Sequence, residues 1–137
     1  DALGFTCTEF TFSDSNDLAT VTTNACQNSD VIYVPTDNTV ADNTGIIANI
    51  AIPANVPVIA GEEATCSGCG VATLSISYEE LGQTTGEMAY EVLVKGADIS
   101  AMPIQFAPSV TKKYNPTICE QMGLTPLEGY IAIETAE

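Results

Sequence analysis

Three short apolar runs, each ending in a polar tip, limit how this chain can fold. They are residues 30–38 (DVIYVPTDN), 57–63 (PVIAGEE) and 71–77 (VATLSIS), and a helix-period stretch near residues 78–96 follows the last. Continuous apolar runs of this length suit buried strands of a parallel sheet. Thr, Asp, Asn, Glu and Ser at their carboxyl ends are what an open α/β sheet places around a ligand crevice. The pattern points to a mouth for binding more than to a catalytic machine.

The remaining segments fit between these runs. Residues 5–12 alternate polar and apolar side chains and are expected as a strand at a sheet edge. Ser13, Asp14, Ser15, Asn16 and Asp17 form a capping cluster, and Leu18, Val21, Ala25 and Cys26 recur at helical spacing to about Gln27. Residues 31–34 are expected as a strand covered on both faces and ended by Pro35. Thr36, Asp37 and Asn38 then cap a second helix with Val40, Ile46, Ile47, Ile50 and Ala51 on its buried side and Pro53 beyond its end. Residues 56–60 are expected as a strand stopped at Gly61, residues 65–70 as a Gly-containing loop, and residues 72–76 as a strand. In the helix at residues 78–95, Leu81, Met88, Ala89, Val92 and Leu93 share one stripe, and Gly96 is the stop. Beyond it, residues 102–107 and 110–114 are expected as strands around Pro108. Asn115 and Pro116 start a short helix to Met122, and residues 131–133 are a candidate last strand. Strands and helices alternating through short links imply an α/β fold: three layers, a mainly parallel open sheet and helices on both faces. Residues 1–137 are expected as a single α/β unit, with 97–137 an irregular C-terminal extension.

Composition narrows the chemistry. The 137 residues are 45% hydrophobic, normal for a folded domain, but 18 acidic residues face only Lys95, Lys112 and Lys113, for a net charge of −15. That charge repels phosphate backbones, which excludes nucleic acid as a partner, and it offers no basic patch for anionic lipid. Without His there is no Ser-His-Asp triad, Cys-His pair or imidazole metal site, and without Arg there is no bidentate anion clamp. No catalytic residue, cofactor or metal is therefore expected. Five cysteines are present. Cys7, Cys26 and Cys119 read as small buried hydrophobes. Cys66-Ser-Gly-Cys69 is a C-x-x-C with three open roles, a structural loop, a local disulfide or a redox pair. Zinc would need two further ligands that the sequence lacks. Asp1-Ala-Leu-Gly-Phe5 reads as the tail of a helix with Gly4 at its C-cap, so the chain is expected to begin partway through a domain.

In this order and spacing, DVIYVPTDNTVADN (30–43), PVIAGEE (57–63), GVATLSISYEELGQTTGEMAYEVLVKGADISAMPIQFAP (70–108) and NPTICEQMGL (115–124) carry a resemblance over nearly the whole chain. The chain resembles substrate-binding proteins of ABC importers, in particular the type I periplasmic-binding family with tryptophan- and tyrosine-type binders. Its most specific elements are T-D-N after an apolar strand, V-P-V-I-A-G-E-E, and A-T-L-S-I-S-Y leading into L-G-x-x-T-G. The resemblance implies two α/β lobes that close on a small solute, here an aromatic or related amino acid, and deliver it to an ABC permease. It also implies a lipid-anchored protein outside the cell. This chain would be the C-terminal lobe without its first strand and helix, with residues 97–137 running toward the hinge. The absent strand would sit between residues 5–12 and 31–34. Its place would be filled by residues 131–133, by direct pairing of its neighbours, or by a strand of a second copy in a strand-exchanged homodimer.

The candidate ligand-binding residues are those just beyond the strand ends: Thr36, Asp37, Asn38, Glu62, Ser75, Ser77 and Tyr78. The resemblance puts Asp37 where an acid meets the ligand, suited to an ammonium group; alternatively Asp37 only caps the following helix. Of Glu62 and Glu63, one is expected at the crevice and the other in solvent. Tyr78 either stacks on an aromatic ligand or packs as the first hydrophobe of its helix. Adjacent acids at a strand end point apart, which suits acid–base catalysis poorly. An alternative function is a receiver-like signalling domain of flavodoxin type with Asp37 as phosphate acceptor. That chemistry wants a lysine at a later strand end, and Lys112 and Lys113 are expected after the sheet.

Overall fold

A computed structural model describes residues 3–134 of the chain. Helix α1 (Ser15–Asn28) starts where Asp14 accepts a hydrogen bond from the Asn16 N–H, and Leu18, Thr22 and Ala25 form its buried stripe. Strand β1 (Ile32–Val34) follows, then α2 (Asn38–Ala41) and α3 (Thr44–Ala51). The expected single helix after β1 is thus two, broken at Asp42 and Asn43, with Ile47 and Ala51 buried as anticipated. Next come β2 (Val58–Ala60), α4 (Glu63–Cys69), β3 (Ala72–Ile76) and α5 (Tyr78–Leu93). A 3-10 turn at Ile99–Ala101 leads to β4 (Val110–Tyr114), α6 (Pro116–Gln121) and β5 (Ile131–Ala132).

The five strands form one sheet in chain order. β1, β2 and β3 are parallel, β4 runs antiparallel to β3, and β5 is parallel to β4. This is the mainly parallel α/β sheet that the alternation of strands and helices implied. Side chains alternate across it, so Val34, Val58, Ala60, Thr73 and Ser75 share one face and are buried there. The main core brings Leu18, Val34, Val40, Ile47, Ala51, Val58 and Cys69 together from α1, α2, α3, α4 and two strands. On the opposite face Tyr33 is 66% exposed and Leu74 51% exposed. Covering of residues 31–34 on both faces is therefore not met at Tyr33.

Several local expectations are corrected. Of residues 65–70, expected as a loop, 65–69 lie in α4, because Glu62 caps the helix and Gly70 follows its last residue. Residues 5–12 form no strand of the sheet, and residues 102–107, interrupted by Pro103 and bounded by Pro108, form none either. Lys112 and Lys113 lie within β4 rather than after the sheet. Residues 131–132 pair with β4 at the edge far from β1, so they do not fill a place beside residues 31–34, and residues 5–12 do not pair with β1. Cys7 is exposed and Cys26 half-buried, whereas Cys119 is buried as expected. Gly4 has the left-handed φ of +80° suited to a C-cap; the residues before Leu3 lie outside those described. None of the described helices is long and apolar enough to cross a membrane.

Candidate functional site

Because β1, β2 and β3 are parallel, their carboxyl ends open at the same edge of the sheet. Each tip continues into a helix whose first turn is capped by a tip side chain. After β1, Asp37 Oδ1 accepts from the Val40 N–H at 2.9 Å, with Thr36 and Asn38 exposed on either side. After β2, the Glu62 carboxylate accepts from the Ala64 N–H at 2.7 Å and from the Thr65 N–H. After β3, Ser77 Oγ accepts from the Glu80 N–H at 3.2 Å. The first two tips touch. The Gly61 N–H donates to the Val34 carbonyl at 2.8 Å, and a Cβ on Gly61 would come within 2.9 Å of the Thr36 nitrogen. Only glycine allows so close an approach.

The acidic side chains at this edge differ in what holds them. Glu62 is buried. Burial pushes its carboxyl up, the nearby Thr65 hydroxyl and the N–H groups of Thr65 and Ala64 pull it down, and the net displacement is below the usual carboxylate range. Glu63 Oε2 is 2.6 Å from Lys113 Nζ on β4 and accepts from the Ser75 hydroxyl at 3.1 Å. Neither glutamate is simply solvated. Asp37 is half-buried, and its cap hydrogen bond uses Oδ1 alone. Tyr78 is 60% exposed, so it does not pack as the first hydrophobe of α5. The seven predicted residues thus gather at three neighbouring tips. The Lys113–Glu63–Ser75 cluster was missed, because Lys113 is 50 residues from Glu63 in the chain and is brought to it by the antiparallel register of β3 and β4.

Other chemistry finds little support. Cys66 and Cys69 are buried in α4 as free thiols. Their hydrogens point at the carbonyls of Gly70 and Thr65. Burial first, then nearby Cys69, pushes the Cys66 thiol up to about 12, and burial likewise raises Cys69 to about 11. Such thiols supply almost no thiolate near neutrality. Among the described residues no cluster of three or more Cys, Asp or Glu side chains is arranged to hold a metal ion. The lysine that a receiver-like phosphate site would need pairs with Glu63, not with Asp37.

Residues 1–135 match the family described as ABC transporter substrate binding protein. A tyrosine-binding protein of Clostridioides difficile (strain R20291) is 40% identical over 75 residues, 55% of this chain and 21% of that protein. Among solved structures, an ABC domain from Streptococcus pneumonia in complex with L-Trp superposes with a TM-score of 0.80 at 27% identity, over 96% of this chain and 46% of that one. The ligand-free, open structure of a substrate binding protein with adhesive properties from Clostridium difficile gives 0.73 at 32% identity, over 97% of this chain and 45% of that one. The chain therefore spans less than half the length of these relatives. The family match over residues 1–135 and the structural similarity along nearly the whole chain lead to one assignment: this chain belongs to the ABC transporter substrate-binding protein family.

Proposed function

We propose that the chain is one α/β lobe of a solute-binding protein, and that its three strand tips form half of a cleft for an aromatic or related amino acid. The observation that carries this is the parallel register of β1, β2 and β3, which brings Thr36, Asp37, Asn38, Glu62, Ser75, Ser77 and Tyr78 to one edge. Asp37, with one oxygen outside its cap bond, suits the ligand ammonium through a charge-assisted hydrogen bond. The exposed Tyr78 ring suits an aromatic side chain. The tyrosine-binding and L-Trp-bound relatives support the ligand class. The whole protein would work outside the cytoplasm, held by a lipid anchor, and pass its ligand to an ABC permease without catalysis and without a cofactor. Residues 97–137 would lead toward a hinge.

A cleft buries most of a small ligand, about 70–90% of its surface, between two walls. One wall should bind in the millimolar range. Residue-resolved NMR titration of the chain with L-tyrosine, L-tryptophan and L-phenylalanine tests this. Shifts concentrated at residues 36–38 and 77–78 are expected; shifts confined to other faces, or micromolar affinity from this lobe, would reject it.

A further inference from the structure

Three cationic side chains oppose 18 acidic ones in this sequence, so where each is placed matters. Lys95 pairs with Glu91 one turn back in α5, at 2.7 Å on the surface. Lys112 lies over the Tyr130 ring. Lys113 reaches from β4 to the first residue of α4 and meets Glu63 at the strand-tip edge. It sits opposite Thr73, and Thr73 shares a face of β3 with Ser75, so Lys113 and Ser75 converge on the same Glu63 oxygen. One residue earlier, backbone N–H groups occupy the Glu62 carboxylate. Among Asp37, Glu62 and Glu63, Glu63 alone is paired with a cation, and Asp37 Oδ2 stays outside these contacts.

We propose that Lys113 is a specificity-determining residue: by pairing with Glu63 at the binding edge, it restricts the ligand to one ammonium group and disfavours ligands carrying two. This rests on the amino-acid reading of the edge given above. Without Lys113, Glu63 would present a second uncompensated carboxylate at the edge that carries Asp37. The attraction of such a charge for a second ammonium several ångströms away is on the order of tenfold in affinity at surface dielectric and low salt.

NMR titrations of the 137-residue chain at low ionic strength test this with two probes on one scaffold. L-phenylalanine carries one ammonium, and 4-(aminomethyl)-L-phenylalanine carries two. Lys113→Met should strengthen the second probe about tenfold while moving L-phenylalanine by less than about twofold. Adding Glu63→Gln should remove the gain. An unchanged ratio of the two affinities in Lys113→Met overturns the role of Lys113. Should that variant not fold, Glu63→Gln alone leaves Lys113 without its carboxylate, and it should weaken the diammonium probe about threefold more than L-phenylalanine; an equal effect on both overturns the proposal. Shifts at residues 36–38 with an unaltered preference reject Lys113 alone. No shift there with either probe in the native chain rejects the amino-acid site as well.

Discussion

Helices α3 and α5 both carry apolar stripes at helical spacing, yet they end in different surroundings. In α3, Ile47 and Ala51 are almost fully buried between α1 and α4. In α5 no residue is buried, and Leu93 at its end is 82% exposed. Residues 97–110 continue in the same way, with Phe106 83% exposed. A 3.6-residue period tells which side of a helix wants cover; tertiary neighbours decide whether it receives any. The chain therefore has a packed half, which fixes the strand tips, and an open half, in which apolar groups face solvent.

Urea denaturation gives the sharpest way to break this comparison. Ile47→Ala should cost about 2–5 kcal/mol by removing core volume, whereas Leu93→Ala should stay within about 0.5 kcal/mol. Similar losses in the two variants would mean that α5 is packed in solution. Asn115→Ala comes next. Its Nδ2 donates to the carbonyls of Cys66 and Ser67 at 3.1 and 2.9 Å, and its Oδ1 accepts from Ile118, so it joins α4 to α6. Leaving those buried groups unsatisfied should cost about 2–3 kcal/mol in the same assay.

Glycines sharpen the contrast further. A Cβ on Gly68 would lie 2.2 Å from Thr44 Oγ1, so Gly68→Ala should destabilise the α3–α4 contact by about 1–3 kcal/mol. Gly86, in α5, has open space around it, and Gly86→Ala should instead stabilise by roughly 0.5–1 kcal/mol. Opposite signs in thermal melts are expected, and a gain at Gly68 would contradict the packing.

The smallest effect concerns pH. Glu62 is held below its unfolded value, so its contribution is complete above the ordinary carboxylate range of roughly 4 and is lost as pH falls through the folded value. Glu62→Gln should flatten the acid limb of stability and leave the neutral region with only the loss of a charged cap, about 1 kcal/mol. An unchanged acid limb would show that Glu62 is not held by its helix.

What the sequence disclosed follows the same division. The parallel strands and their tips were legible because each signal is local: an apolar run, a stop at Pro35 or Gly61, then a capping residue. Helix α4 was not, since its buried positions are Thr65, Cys66 and Cys69, which carry little hydrophobic signal, and Gly68 suggested a loop. Its cap, Glu62, is also an uncommon N-cap type. Residues 5–12 and 102–107 have strand-like composition, but whether such a segment joins the sheet is decided by distant neighbours, which no local pattern contains. The Lys113–Glu63 contact depends on register between distant segments and so lay outside any local pattern.

The most direct measurement compares Asp37→Asn with the native chain. Asparagine caps a helix about as well as aspartate, so stability should change by less than about 0.5 kcal/mol. If Asp37 meets the ligand ammonium, the native chain should favour L-phenylalanine over 3-phenylpropionate, which lacks that group, by about tenfold, and the variant should lose the preference. A preference that survives in Asp37→Asn would mean that Asp37 only caps α2 and that the strand tips do not hold an amino acid in this way.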